Sequence, residues 1–101
     1  MNEVFIAEPL NDILKKLDKT ELLFIDNIKD KLAISLDVGK PLRYNWLREK
    51  KFKDKRLYFI VNTHADKAIL VAYGDKKEQQ KIIDHLIANK ERYFRIINEP
   101  F

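Results

Sequence analysis

This chain of 101 residues has no cysteine, two glycines and one serine. The first absence excludes disulfides and thiolate metal sites, and a reducing compartment fits it. Gly39 and Gly74 stand far apart, so no glycine-rich loop can cradle a phosphate. Ser35 lies within a stretch of helical spacing and supports no serine triad. The two histidines, His64 and His85, have no metal-ligand spacing, and His64 reads as a solvated turn residue. No apolar run approaches the length of a membrane span. The first residues, MNEVFIAEPLNDILKK, lack the basic region and long apolar stretch of a signal peptide. The expectation is one soluble, cytoplasmic domain with no metal and no cofactor.

The remaining signal is concentrated charge. Eight basic residues fall between Lys40 and Arg56: Lys40, Arg43, Arg48, Lys50, Lys51, Lys53, Lys55 and Arg56. Glu49 and Asp54 alone oppose them, so eight less two gives a local charge of +6. The whole chain carries +4, which leaves −2 for everything else. Tyr44, Trp46 and Phe52 are interleaved with these cations. Clustered cations neutralise phosphates and release counterions, and aromatic faces offer stacking surfaces to bases. This pattern points to nucleic acid. A charged strand also reads as a solvated sheet edge that discourages edge pairing, and Trp46 also reads as a core residue.

Glu3 to Glu8 predicts a short strand around Val4, Phe5 and Ile6. Pro9 suits the first turn of a helix whose apolar face is Leu10, Ile13, Leu14 and Leu17. Thr20 is expected to cap a second helix, running to about Leu36 through Leu22, Ile25, Ile28 and Leu32. Three β segments should follow: Leu42 to Phe52, Arg56 to Asn62 and Ala68 to Tyr73. Their short connections imply antiparallel hairpins. Asp75 and Glu78 have capping-box spacing ahead of a helix bearing Ile82, Ile83, Leu86 and Ile87. Tyr93 to Ile97 fits helix or strand equally. The fold class is α+β in the order β-α-α-β-β-β-α, with a three- or four-stranded, mostly antiparallel sheet packed by an N-terminal helical hairpin and a C-terminal helix.

Several strings then carry a family likeness. Leu47-Arg48-Glu49-Lys50-Lys51-Phe52, Lys55-Arg56-Leu57-Tyr58-Phe59, Ile69-Leu70-Val71-Ala72 and Asp75-Lys76-Lys77-Glu78-Gln79-Gln80 resemble the RelE/ParE superfamily, the toxins of type II toxin–antitoxin pairs. The pattern looks closest to its RelE/HigB-like branch, and the order of elements matches across nearly the whole chain. The resemblance implies a RelE-like toxin domain over residues 1–101 that cuts messenger RNA without a metal, in many members at the ribosome, and so inhibits translation. It also implies a cognate antitoxin as partner. Arg56 matches the family's recurrent arginine, Arg48 the basic position of the preceding strand, and Lys76 and Lys77 the basic pair before the last helix. The tyrosine that some members carry near the start of the last helix is replaced here by Gln79-Gln80-Lys81-Ile82, leaving Tyr93 as the later acid/base candidate.

Cleavage by attack of the 2′-hydroxyl on its own phosphate needs a base, a charge stabiliser and an acid. Arginine is a bidentate phosphate clamp, a part assigned to Arg48 and Arg56. Lysine serves as base where neighbouring cations crowd it. Lys50 and Lys51 have such neighbours, and Lys50 is preferred because strand alternation puts it on the face of Arg48, together with Tyr44 and Trp46. Arg43, Trp46, Lys51, Lys53, Lys55, Lys76 and Lys77 are the candidate RNA contacts. Two readings from other classes remain: a ParE-like toxin that inhibits gyrase by binding alone, and a degenerate member that binds only antitoxin or nucleic acid. The apolar excess at Leu22, Leu23, Phe24 and Ile25 fits an antitoxin groove between helices or simple packing on the first helix.

Overall fold

The computed structural model describes residues 1–97. The elements run β1 (Glu3–Ile6), α1 (Glu8–Leu14), α2 (Lys19–Ile34), β2 (Lys40–Pro41), β3 (Leu47–Phe52), β4 (Lys55–Asn62), β5 (Lys67–Asp75), a 3₁₀ turn (Lys76–Glu78), α3 (Gln79–Ala88) and α4 (Lys90–Ile97). They form a five-stranded sheet in the order β1-β5-β4-β3-β2. β1 runs parallel to β5, and the other pairs are antiparallel. The α+β class holds. The sheet has one strand beyond the four of the expected order, the two-residue β2, which adds an edge beside β3.

The sheet is apolar on both faces, as β4 announces with a run from Leu57 to Val61. On one face, Leu57, Phe59, Val61, Ala68 and Leu70 pack under α1 and α2 through Leu10, Ile25, Ile28 and Leu32. On the other, Leu47, Tyr58, Ile60, Ile69 and Val71 meet Leu86, Tyr93 and Ile97 of α3 and α4. Tyr93 and Ile97 lie one helical turn apart and are both buried, which settles the tail as helix. No helix among the described residues is long and apolar enough to cross a membrane.

Two local expectations are corrected, and a bulge in β5 adds to them. Asp18, not Thr20, caps α2: its Oδ1 accepts from the Glu21 amide at 2.9 Å, and the Thr20 hydroxyl donates to the same oxygen at 2.7 Å. The segment read as one strand from Leu42 turns back on itself first. The Leu42 amide donates to the Leu47 carbonyl at 2.9 Å and the Leu47 amide to that of Tyr44 at 3.2 Å, so the strand begins at Leu47. In β5 an extra residue interrupts the ladder: Tyr58 pairs with Ala72 and Phe59 with Leu70, leaving Val71 as a bulge. The bulge reverses the alternation beyond it and turns Tyr73 toward the α2 face.

Tyr73 then reaches Glu21, donating its hydroxyl to Oε2 at 2.7 Å, while Lys55 Nζ meets the same oxygen at 3.0 Å. Glu21 also completes the α2 capping box, so one carboxylate ties the helix start to β4 and β5. These hydrogen bonds, Tyr73 first and Lys55 second, hold its carboxyl below the ordinary glutamate value. Burial first, and then the same partnership, push the Tyr73 phenol up, so it stays a donor. Because the folded pKa is lowered, the stabilisation is present above the unfolded value near 4.5 and is lost as pH falls through the folded one. Glu21→Ala should therefore cost about 1–3 kcal/mol at pH 7. Denaturant unfolding across the acid range should show that gap closing once the wild-type carboxyl protonates.

Candidate nucleic-acid interface

Strand period two sorts the cations of β3 and β4 onto different faces. Phe52 stacks on Phe24 of α2 with ring centroids 4.6 Å apart, which places Phe52, Lys50 and Arg48 on the α2 side of β3. Leu47, Glu49 and Lys51 therefore lie on the α3 side. Lys51 is cross-strand partner of Arg56, Glu49 of Tyr58, and Lys40 of Glu49. Lys40, Glu49, Lys51 and Arg56 thus converge on one face at the open end of the sheet. The 3₁₀ turn adds Lys76 beside them.

These side chains line two adjoining hollows. One, of about 520 Å³, is bounded by Gly39, Lys40, Glu49, Lys50, Lys51 and Arg56. The other is bounded by Lys51, Lys53, Asp54, Arg56 and Lys76. Lys51 and Arg56 belong to both, so the hollows form one groove with these two cations at its centre. Gly39 is required at the wall. Its φ is +77°, and a Cβ there would lie 2.6 Å from the Glu49 carbonyl oxygen and 2.8 Å from the Phe59 ring.

Arg56 is largely buried, and Glu49 Oε2 lies 3.3 Å from its Nε. Among the described residues the Nε–H finds no hydrogen-bond acceptor, so the contact with Glu49 is mainly charge on charge. Gln79 at the start of α3 donates to the same Oε2 at 3.0 Å, fixing the carboxylate from above. Beneath them the Tyr58 hydroxyl is buried with no hydrogen-bond partner among the described residues. Burial first, and then the Glu49 charge, push that phenol up to about 12. It remains protonated and sealed in the floor.

The other candidates divide clearly. Among the described residues, Lys40, Arg43, Lys50, Lys51, Lys76 and Lys77 make no side-chain hydrogen bond or ion pair. Lys50 reaches the groove rim from the opposite face. Lys53 sits at the β3–β4 turn with φ 56°, a left-handed conformation rare without glycine, and its Nζ lies over the Phe52 ring. Lys55 is committed to Glu21 on the α2 side. Lys77 is exposed and lines neither hollow. Tyr93 is buried under α4 against the apolar core and does not reach the groove.

Arg48 is separated from Arg56 by the sheet and serves the connections on either side of β2 instead. Its Nε donates to the Asn45 carbonyl at 2.7 Å, and its Nη1 meets Asp37 at 3.3 Å and the Val38 carbonyl at 3.4 Å. The expectation that Tyr44 and Trp46 share the face of Arg48 is corrected by that loop. Both rings precede the strand, and Trp46 packs on the α4 side against Phe94. Residue order marks Glu49 as an opposing charge and Gln79 only as part of the family strings, and gives neither a place in the site. A lone acid inside the cation run of β3 was the available signal for Glu49; nothing local marks Gln79.

The fold is RelE-like. It is similar to the E. coli toxin RelE, solved as a double mutant in complex with an antitoxin RelBc peptide, with a TM-score of 0.65 and 12% identity over 80% of this chain and 93% of that one. No protein-family model and no curated protein matches the sequence.

Arg48→Ala should release the β2–β3 loop. A loss of about 1–3 kcal/mol in unfolding free energy and a shift in the emission of Trp46, the single tryptophan, would report it. An unchanged spectrum would mean that Arg48 does not hold the loop.

Proposed function

We propose that the protein is the toxin of a type II toxin–antitoxin pair and that its basic groove cleaves messenger RNA, inhibiting translation. The observation that carries this reading is the set of unpaired cations, Lys40, Lys50, Lys51 and Lys76, gathered around Arg56 on a RelE-like sheet. A surface that keeps so many cations unpaired is matched to a polyanion. A cognate antitoxin is the proposed protein partner, by analogy with the peptide bound to E. coli RelE.

The groove suggests a division of labour. Glu49 is the carboxylate at its centre, held by Gln79 and Arg56. It takes the proton of the 2′-hydroxyl as that oxygen attacks the adjacent phosphorus. Arg56 and Lys51 face each other across the strand pair and balance the charge growing on the phosphoryl oxygens. The bond from phosphorus to the 5′-oxygen breaks, and a lysine ammonium, Lys51 or Lys76, returns a proton to that leaving oxygen. The products are a 2′,3′-cyclic phosphate and a 5′-hydroxyl. Each proton moves between groups on this chain and the substrate.

A binding-only toxin of the ParE kind is the second reading. What favours it is that no tyrosine or histidine lines either hollow, so proton transfer falls entirely to Glu49 and lysines.

Induced expression in a bacterial host, with growth and transcript integrity followed together, separates the readings. The wild type should arrest growth with transcript cleavage, and Arg56→Ala should lose both. Arrest with intact transcripts supports the binding-only toxin. Glu49→Gln keeps an acceptor for Gln79 but removes the base. It should lower the single-turnover cleavage rate about 10²–10⁴-fold while RNA affinity holds or rises. A Glu49→Gln protein that cuts at the wild-type rate would remove the carboxylate from the mechanism.

A further inference from the structure

The β2–β3 loop carries an aromatic stack that the cleavage chemistry does not use. Tyr44 lies parallel to Trp46, with centroids 5.2 Å apart and an interplanar angle of 11°. Trp46 in turn meets the edge of Phe94 at 5.5 Å and 75°. Lys90 Nζ stands 5.2 Å from the Trp46 centroid and 5.3 Å from that of Phe94. The tryptophan is thus backed by α4, while Tyr44, at the outer end of the stack, is 42% exposed. Arg43 beside it is exposed and, among the described residues, makes no hydrogen bond or ion pair.

The loop is held in place. Backbone hydrogen bonds close it at Leu42, Tyr44 and Leu47, the Trp46 carbonyl accepts from the Val61 amide at 2.9 Å, and Arg48 clamps Asn45. Trp46 packs with the same core cluster as Tyr58 and Leu47, so the stack lies on the sheet face that bears Glu49, Lys51 and Arg56. From Leu47 to Lys51 the strand rises about 13 Å. A few nucleotides of an extended single strand cover that distance.

We infer that Tyr44, backed by Trp46 and flanked by Arg43 and Lys90, is a stacking platform for a base of single-stranded RNA whose phosphate a few nucleotides away lies at Lys51 and Arg56. An aromatic face takes any base, and neighbouring cations take the phosphates on either side of it. The platform therefore adds affinity and register without selecting sequence. This rests on the RNA reading of the groove but assigns a separate site.

The test uses the whole protein and a short single-stranded RNA carrying 2′-O-methyl riboses, which cannot be cut through its own 2′-oxygen. Binding should quench Trp46. Tyr44→Leu keeps an apolar cover over Trp46 but offers no ring face; it should weaken binding about 5- to 150-fold with the salt dependence unchanged. Lys51→Ala should instead reduce the salt slope by about one. Tyr44→Leu that binds as tightly as the wild type overturns the platform. A platform effect in a protein that never cuts RNA sinks the nuclease reading alone, and cleavage with no Tyr44 effect sinks the platform alone. If Tyr44→Leu weakens only the complex with an antitoxin segment, the stack is a protein contact and the inference fails.

Discussion

Alternation along the β3–β4 ladder governs everything that follows. Because successive side chains point to opposite faces, the cations of Leu47–Phe52 and Lys55–Asn62 cannot act as one cluster, however close they stand in sequence. Lys51 and Arg56 are cross-strand partners and share the α3 face; Arg48 and Lys55 go to the other. There they meet Asp37 and Glu21 and become structural. A slip of one residue in this ladder would take Leu57 and Phe59 out of the core under α1 and α2 and carry the cations of the slipped strand to the opposite face, so the core that fixes the register also fixes the groove.

Pairing is the second division among the cations. Those that anchor the fold are matched: Lys55 with Glu21, and Arg48 with Asp37 and two loop carbonyls. Those at the groove rim have no partner among the described residues and remain available to phosphate. Arg56 stands between these classes. It is largely buried, where an uncompensated charge is costly, and Glu49 relieves that cost without taking up its hydrogen-bonding capacity. Gln79 holds the carboxylate in return. The arrangement leaves the guanidinium oriented yet able to accept an anionic ligand.

Much of this was legible from residue order. The helical spacing from Leu10 to Leu36, the doubly apolar β4 and β5, and the cap at Asp75 all appear where periodicity puts them. What was not legible depended on contacts between distant segments. The parallel pairing of β1 with β5 leaves no mark in either strand. The bulge at Val71 is a single unmatched residue in an apolar run, yet it decides that Tyr73 meets Glu21. Counting alternation back through Leu42 put Trp46 on the wrong face, since the tight turn ahead of Leu47 carries no glycine or proline within it to announce itself. Arg56 and Lys51 could be picked out by charge and likeness. Glu49 gains its role only once Gln79 is seen above it.

The central claim is that the groove around Glu49, Lys51 and Arg56 directs a 2′-hydroxyl onto its own phosphate. The end groups of the RNA fragments test this most directly. RNA cut in the presence of a chelator should carry 2′,3′-cyclic phosphate and 5′-hydroxyl ends, and a single 2′-deoxy substitution at the cut position should abolish cleavage there. Fragments ending in 3′-hydroxyl and 5′-phosphate, or undiminished cutting at the deoxy position, would contradict the account.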